Sequence, residues 1–71
     1  MSGPTLDRDS FRVYRAIWSN ERTRDRGERR PLTADQLTKR IMSRWPETRA
    51  ESFDRASEFY DEHPYQPKTR P

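Results

Sequence analysis

Apolar residues along the chain fall into three periodic runs separated by polar breaks. In the first, Leu6, Phe11, Val13, Tyr14, Ile17 and Trp18 share one broad arc at about 100° per residue, which predicts a helix from Thr5 to about Arg24. Thr5 is the expected N-cap. Asp7 and Asp9 lie in the first turn, Arg22, Arg24 and Arg26 near the far end, and Gly27 just beyond, all where the helix dipole and C-cap preferences place them. The polar stretch RGERRP (26–31) then reads as a linker.

The second run opens with LTADQL. Thr33 and Gln36 have the spacing of a capping box, and Leu32 and Leu37 that of a hydrophobic staple. A helix from Ala34 to about Arg44 follows, with Ala34, Leu37, Ile41 and Trp45 on its buried face. Pro46 ends it, because the residue before a proline is pushed out of the α region. Thr48 and Glu51 repeat the capping-box spacing and predict a third helix from Arg49 to about Glu62, with Phe53, Ala56, Ser57 and Tyr60 inward and Pro64 as the stop. Met42 and Phe59 fall outside these core arcs. The expected organisation is an unstructured start (1–4), a three-helix domain (5–63) and an extended or disordered proline-rich tail (64–71).

Three helices with a short break between the second and third predict an all-α, three-helix bundle in a helix-turn-helix arrangement. LTADQLTKRI is similar to the second helix of small winged-helix and helix-turn-helix regulators, and SFDRASEFYDEHPY resembles their third, so the likeness spans roughly residues 32–65. It implies DNA binding, with the third helix approaching the bases. The chain departs from the family pattern in two places. Trp45-Pro46-Glu47 replace the glycine and aliphatic residue usual in the turn, and too few residues follow Tyr65 for a wing hairpin.

Charge sharpens this picture and also divides it. With 71 residues, 28% hydrophobic and 38% charged, the chain has room for one small domain with an aromatic-rich core that a partner would firm up. The net charge of +3 suits a polyanion, yet the third helix carries Arg49 and Arg55 against Glu51, Asp54, Glu58, Asp61 and Glu62, a net of −3 that phosphates would repel. Its acidic residues cluster on one arc, leaving Thr48, Arg49, Ser52 and Arg55 as candidate base-contacting residues. Arg55 can equally pair with Glu51 and Glu58 on its own helix. On the first helix Arg8, Arg12, Arg15 and Arg22 project onto an arc of about 80°, with Ser19 in the gap, a candidate phosphate-contacting stripe or simply a solvated face.

The chemistry-bearing residues are sparse. There is no cysteine, and the only histidine, His63, has no partners at metal-ligand spacing. No phosphate loop, nucleophile motif or dinucleotide fingerprint occurs. The reading is a non-enzyme without metal or cofactor. No apolar run is long enough for a signal peptide or a membrane span, so a cytoplasmic location is expected. Two functions follow as expectations: a small DNA-binding regulator or accessory factor on double-stranded DNA, with a homodimer permitted by the complementary charges of its helices, or a module that binds and modulates a larger protein. Small, highly charged chains of the second kind are common among phage-encoded and accessory proteins.

Overall fold

A computed structural model describes residues 6–27 and 32–67. The expected Thr5 cap, the linker residues Arg29 and Arg30, and Lys68 and Arg70 of the tail lie outside the described residues. The described residues form three helices, α1 (Arg8–Asp25), α2 (Ala34–Arg44) and α3 (Ala50–Glu62). The fold is an all-α three-helix bundle.

Asp7 is the N-cap of α1. Its carboxylate accepts the Ser10 backbone N–H at 2.8 Å, satisfying one of the donors left open in the first turn. Asp9 in the first turn and Arg22 and Arg24 in the last complement the dipole. Gly27 follows at φ 70°, the left-handed conformation in which a helix commonly ends, and its N–H bonds the Arg24 carbonyl at 2.9 Å.

α2 begins with the reciprocal capping box expected of it. Thr33 Oγ1 accepts the Gln36 N–H at 3.2 Å, and Gln36 Oε1 accepts the Thr33 N–H at 3.1 Å. Pro46 ends the helix as its restricted geometry dictates, and the Thr48 N–H closes the turn on the Trp45 carbonyl at 2.9 Å. α3 starts one residue later than expected. Arg49 is its N-cap, with no side-chain capping bond, so the Thr48–Glu51 box does not form. Thr48 is turned inward instead, 4% exposed, with a hydroxyl that finds no partner. Buried there, the hydroxyl does not cap α3.

The core gathers on α1. Val13 and Ile17 meet Leu37 and Ile41 of α2 and Ala56 of α3, with Tyr14, Ala16, Leu32, Trp45, Phe53 and Tyr60 packed around them. α1 packs chiefly on α3 and less extensively on α2. Small side chains at Ser10, Ser52 and Ala56, all buried, let α1 and α3 approach closely. Ala34, expected inward, is exposed. Phe11 is 49% exposed and stacks on Tyr14 at 6.4 Å.

Residues 63–67 leave α3 without helical structure and fold back. The Tyr14 hydroxyl donates to the His63 carbonyl at 3.2 Å, and the Tyr65 ring meets Trp18 edge-on at 4.7 Å. Phe59 packs edge-on against Tyr14 at 5.0 Å and stacks on His63 at 4.2 Å. Phe59 therefore belongs to an aromatic seam between α1 and α3.

Because the core is small, its largest fully buried side chain carries a large share of the stability. Ile41→Ala should lower the free energy of unfolding by about 2–5 kcal/mol, against about 1 kcal/mol for Thr33→Ala at the exposed cap. Urea titrations followed by circular dichroism test the ranking; equal losses would mean that Ile41 is not the keystone of the core.

Candidate binding groove between the first two helices

α1 and α2 run antiparallel. At one end the Asn20 side chain accepts the Leu32 N–H at 3.1 Å, and at the other the Arg12 guanidinium lies 6.0 Å from the Trp45 ring. Because α2 packs less extensively on α1 than α3 does, a groove of about 720 Å³ opens between them. Ala16, Leu32, Leu37 and Ile41 supply its apolar lining, and Arg12, Arg15, Arg40 and Arg44 its charge. Ser19, Asn20 and Thr23 line the end near Leu32, whereas the arginines occupy the half toward Trp45 and Phe11. Among the described residues no carboxylate lines it.

The arginine arc of α1 thus runs along the groove, but only in part. Arg12 and Arg15 line it; Arg8 and Arg22 are exposed beyond it. The sequence pattern on α1 could not show that Arg40 and Arg44 stand opposite, since that pairing depends on how α2 packs. The guanidiniums are held in place. Arg12 pairs with Glu47 of the turn at 2.5 Å and approaches Trp45, Arg44 lies 5.6 Å from the same ring, and Arg15 lies 6.0 Å from Phe11. Each such exposed cation–π contact is worth about 0.5–1 kcal/mol.

The four candidate base-contacting residues do not share a surface. Thr48 and Ser52 are 4% and 6% exposed, their side chains spent on the interior, so neither can approach a base edge. Arg49 is exposed at the α3 N-cap. Arg55 pairs at 2.6 Å with Asp7, the N-cap of α1. The expected alternative, Arg55 on Glu51 and Glu58, is also not what forms: a partner 48 residues away takes its place. The outer surface of α3 is left to Glu51, Asp54, Glu58, Asp61 and Glu62, all exposed.

Two carboxylates are tuned by these contacts. The Ser10 amide holds Asp7 below its ordinary 3.8, with the Arg55 guanidinium adding to the effect. A hydrogen bond from its own backbone, then Arg12, holds Glu47 below its ordinary 4.5. A depressed carboxylate pKa stabilises the fold above the unfolded value, and that contribution is lost as pH falls through the folded one.

Among the described residues no group of three or more His, Cys, Asp or Glu is placed to hold a metal ion, and no helix is long and apolar enough to cross a membrane. No family model matches the chain, and no curated protein or solved structure does so.

Two outcomes follow from this geometry. Thr48→Val, which keeps the shape and removes an unpaired buried hydroxyl, should raise stability by about 1 kcal/mol; a loss would show that the hydroxyl has a partner. The melting temperature should fall on acidification below about pH 4.5 more steeply in the wild type than in Asp7→Asn/Glu47→Gln, the two curves converging at low pH. Parallel curves would rule out both ion pairs as sources of the pH dependence.

Proposed function

We propose that the protein is a non-enzymatic interaction module that binds a larger protein through the groove between α1 and α2. The observation that carries this reading is the groove's composition: an apolar lining rimmed by Arg12, Arg15, Arg40 and Arg44, with no carboxylate along it. Phe11, with the exposed parts of Ala16, Leu32 and Trp45, gives a protein partner apolar surface to bury, which is the dominant favourable contribution in association. The arginines add orientation and on-rate. The acidic surface of α3 points the same way, since it disfavours insertion of that helix between phosphates.

Duplex DNA is the second reading, favoured by the exposure of Arg8, Arg15 and Arg22 along one helix. It now takes a narrower form: phosphate contact through α1, with no base readout from Thr48 or Ser52. Such binding would be independent of sequence and strongly dependent on salt.

One experiment separates the two. Random duplex DNA is titrated by fluorescence anisotropy at rising salt against wild type and against a variant with Ala at Arg8, Arg12, Arg15 and Arg22. In parallel, wild type, Phe11→Ala and Arg40→Ala/Arg44→Ala are used to capture partners from source-cell lysate. The interaction reading expects weak duplex binding and a captured protein lost from both groove variants. Tight duplex binding, with a salt slope that becomes shallower in the four-arginine variant, and capture unaffected by the groove variants would overturn it.

A further inference from the structure

We infer that the occupant of the groove is an amphipathic helix of a partner protein, about three turns long, with apolar residues at i, i+3 or i+4, and i+7 and with carboxylates gathered toward its C-terminal end. This rests on the interaction reading above and specifies what that interaction recognises.

Shape comes first. The groove is flanked on both sides by antiparallel helices and runs from Leu32 to Trp45, a rise of roughly 20 Å at 1.5 Å per residue. Two helices side by side offer a third a seat in which apolar knobs enter the gap between them. Leu37 and Ile41 at the base are themselves buried, so the knobs meet Ala16 and Leu32 and, at the other end, Phe11 and Trp45.

Charge narrows the choice. A neutral helix would desolvate Arg15, Arg40 and Arg44 and return no partner to them, Arg12 already holding Glu47, which is costly. Carboxylates flanking the apolar stripe would meet them in charge-assisted bonds for which the guanidinium fork is suited. The arginines occupy the Trp45 half, while Ser19, Asn20 and Thr23 leave the other half uncharged. The negative end of the occupant's dipole belongs at the arginine half, so its C-terminus lies toward Trp45.

Other occupants fit less well. A nucleic-acid strand needs open ring faces, but Trp45 is already engaged by Arg12 and Arg44, and Phe11 by Arg15. A second copy of the chain would offer α3, whose exposed acidic stripe of Glu51, Asp54, Glu58, Asp61 and Glu62 matches the rim but carries no apolar knob for the floor.

The test uses the full chain with Trp18→Phe, which leaves Trp45 as the only tryptophan. The probes are synthetic helical peptides about three turns long: one with leucines at the stated spacing and glutamates in its C-terminal half, a glutamine counterpart, a lysine counterpart, and a version with serine for leucine. A Trp45 fluorescence change with the acidic peptide, about tenfold weaker with the glutamine or serine peptide and absent with lysine, supports the inference. Amide chemical shifts should move along residues 11–23 and 32–45, and Arg40→Ala/Arg44→Ala, still helical by circular dichroism, should erase the preference of acidic over glutamine peptide.

Equal binding of the acidic and glutamine peptides, shifts mapping elsewhere, or no binding overturns it. So does a single-stranded oligonucleotide that displaces the acidic peptide, or a concentration-dependent dimer broken by Arg40→Ala/Arg44→Ala. If every peptide fails while capture of a protein still depends on Phe11, Arg40 and Arg44, the helix is wrong and the interaction reading stands. If capture is also indifferent to those residues, both fall.

Discussion

The close packing of α1 on α3 is the contact to which the rest of the structure is referred. It is made possible by side chains too small to hold the helices apart, Ser10 on α1 with Ser52 and Ala56 on α3, all buried. Around this seam Val13 and Ile17 reach inward from α1, and Tyr14 spreads into the aromatic contacts with Phe59 and Tyr60. In a chain so rich in charge, few large apolar residues are available, and closeness substitutes for bulk. Its consequence is felt on the opposite side: α2 meets the same helix less extensively, and the space between them becomes the groove.

Two ion pairs hold this arrangement from the outside. Asp7 caps α1 and also receives Arg55 of α3, so one carboxylate ties the start of one helix to the middle of another. Glu47 ties the turn between α2 and α3 to Arg12. Exposed pairs of this kind are worth little individually. Their effect is geometric, because Arg12 is placed beside Trp45 at the groove rim and Arg55 is committed to Asp7 and not to the carboxylates of its own helix.

The result is a division of charge between faces. The arginines of α1 and α2 converge on one side, and the carboxylates of α3 remain on the outer surface. That helix gives its small polar residues to the interior, and the surface that combines apolar area with positive charge lies elsewhere.

What the sequence determined by itself was local. The Thr33–Gln36 box, the stop at Gly27 and the break at Pro46 are set by chemistry within four residues and were legible as patterns. The α1 arginine arc was legible too, since it needs only the helical repeat. Tertiary structure decided the rest. Thr48 had the spacing of a cap, but its side chain is buried. Ser52 sat on an arc that looked open, but α1 covers it. Arg55 had carboxylates three and four residues away, but Asp7 comes to it from 48 residues off. In each case the competing partner is distant in the chain, and only the packing of α1 against α3, and its looser seat on α2, brings it near.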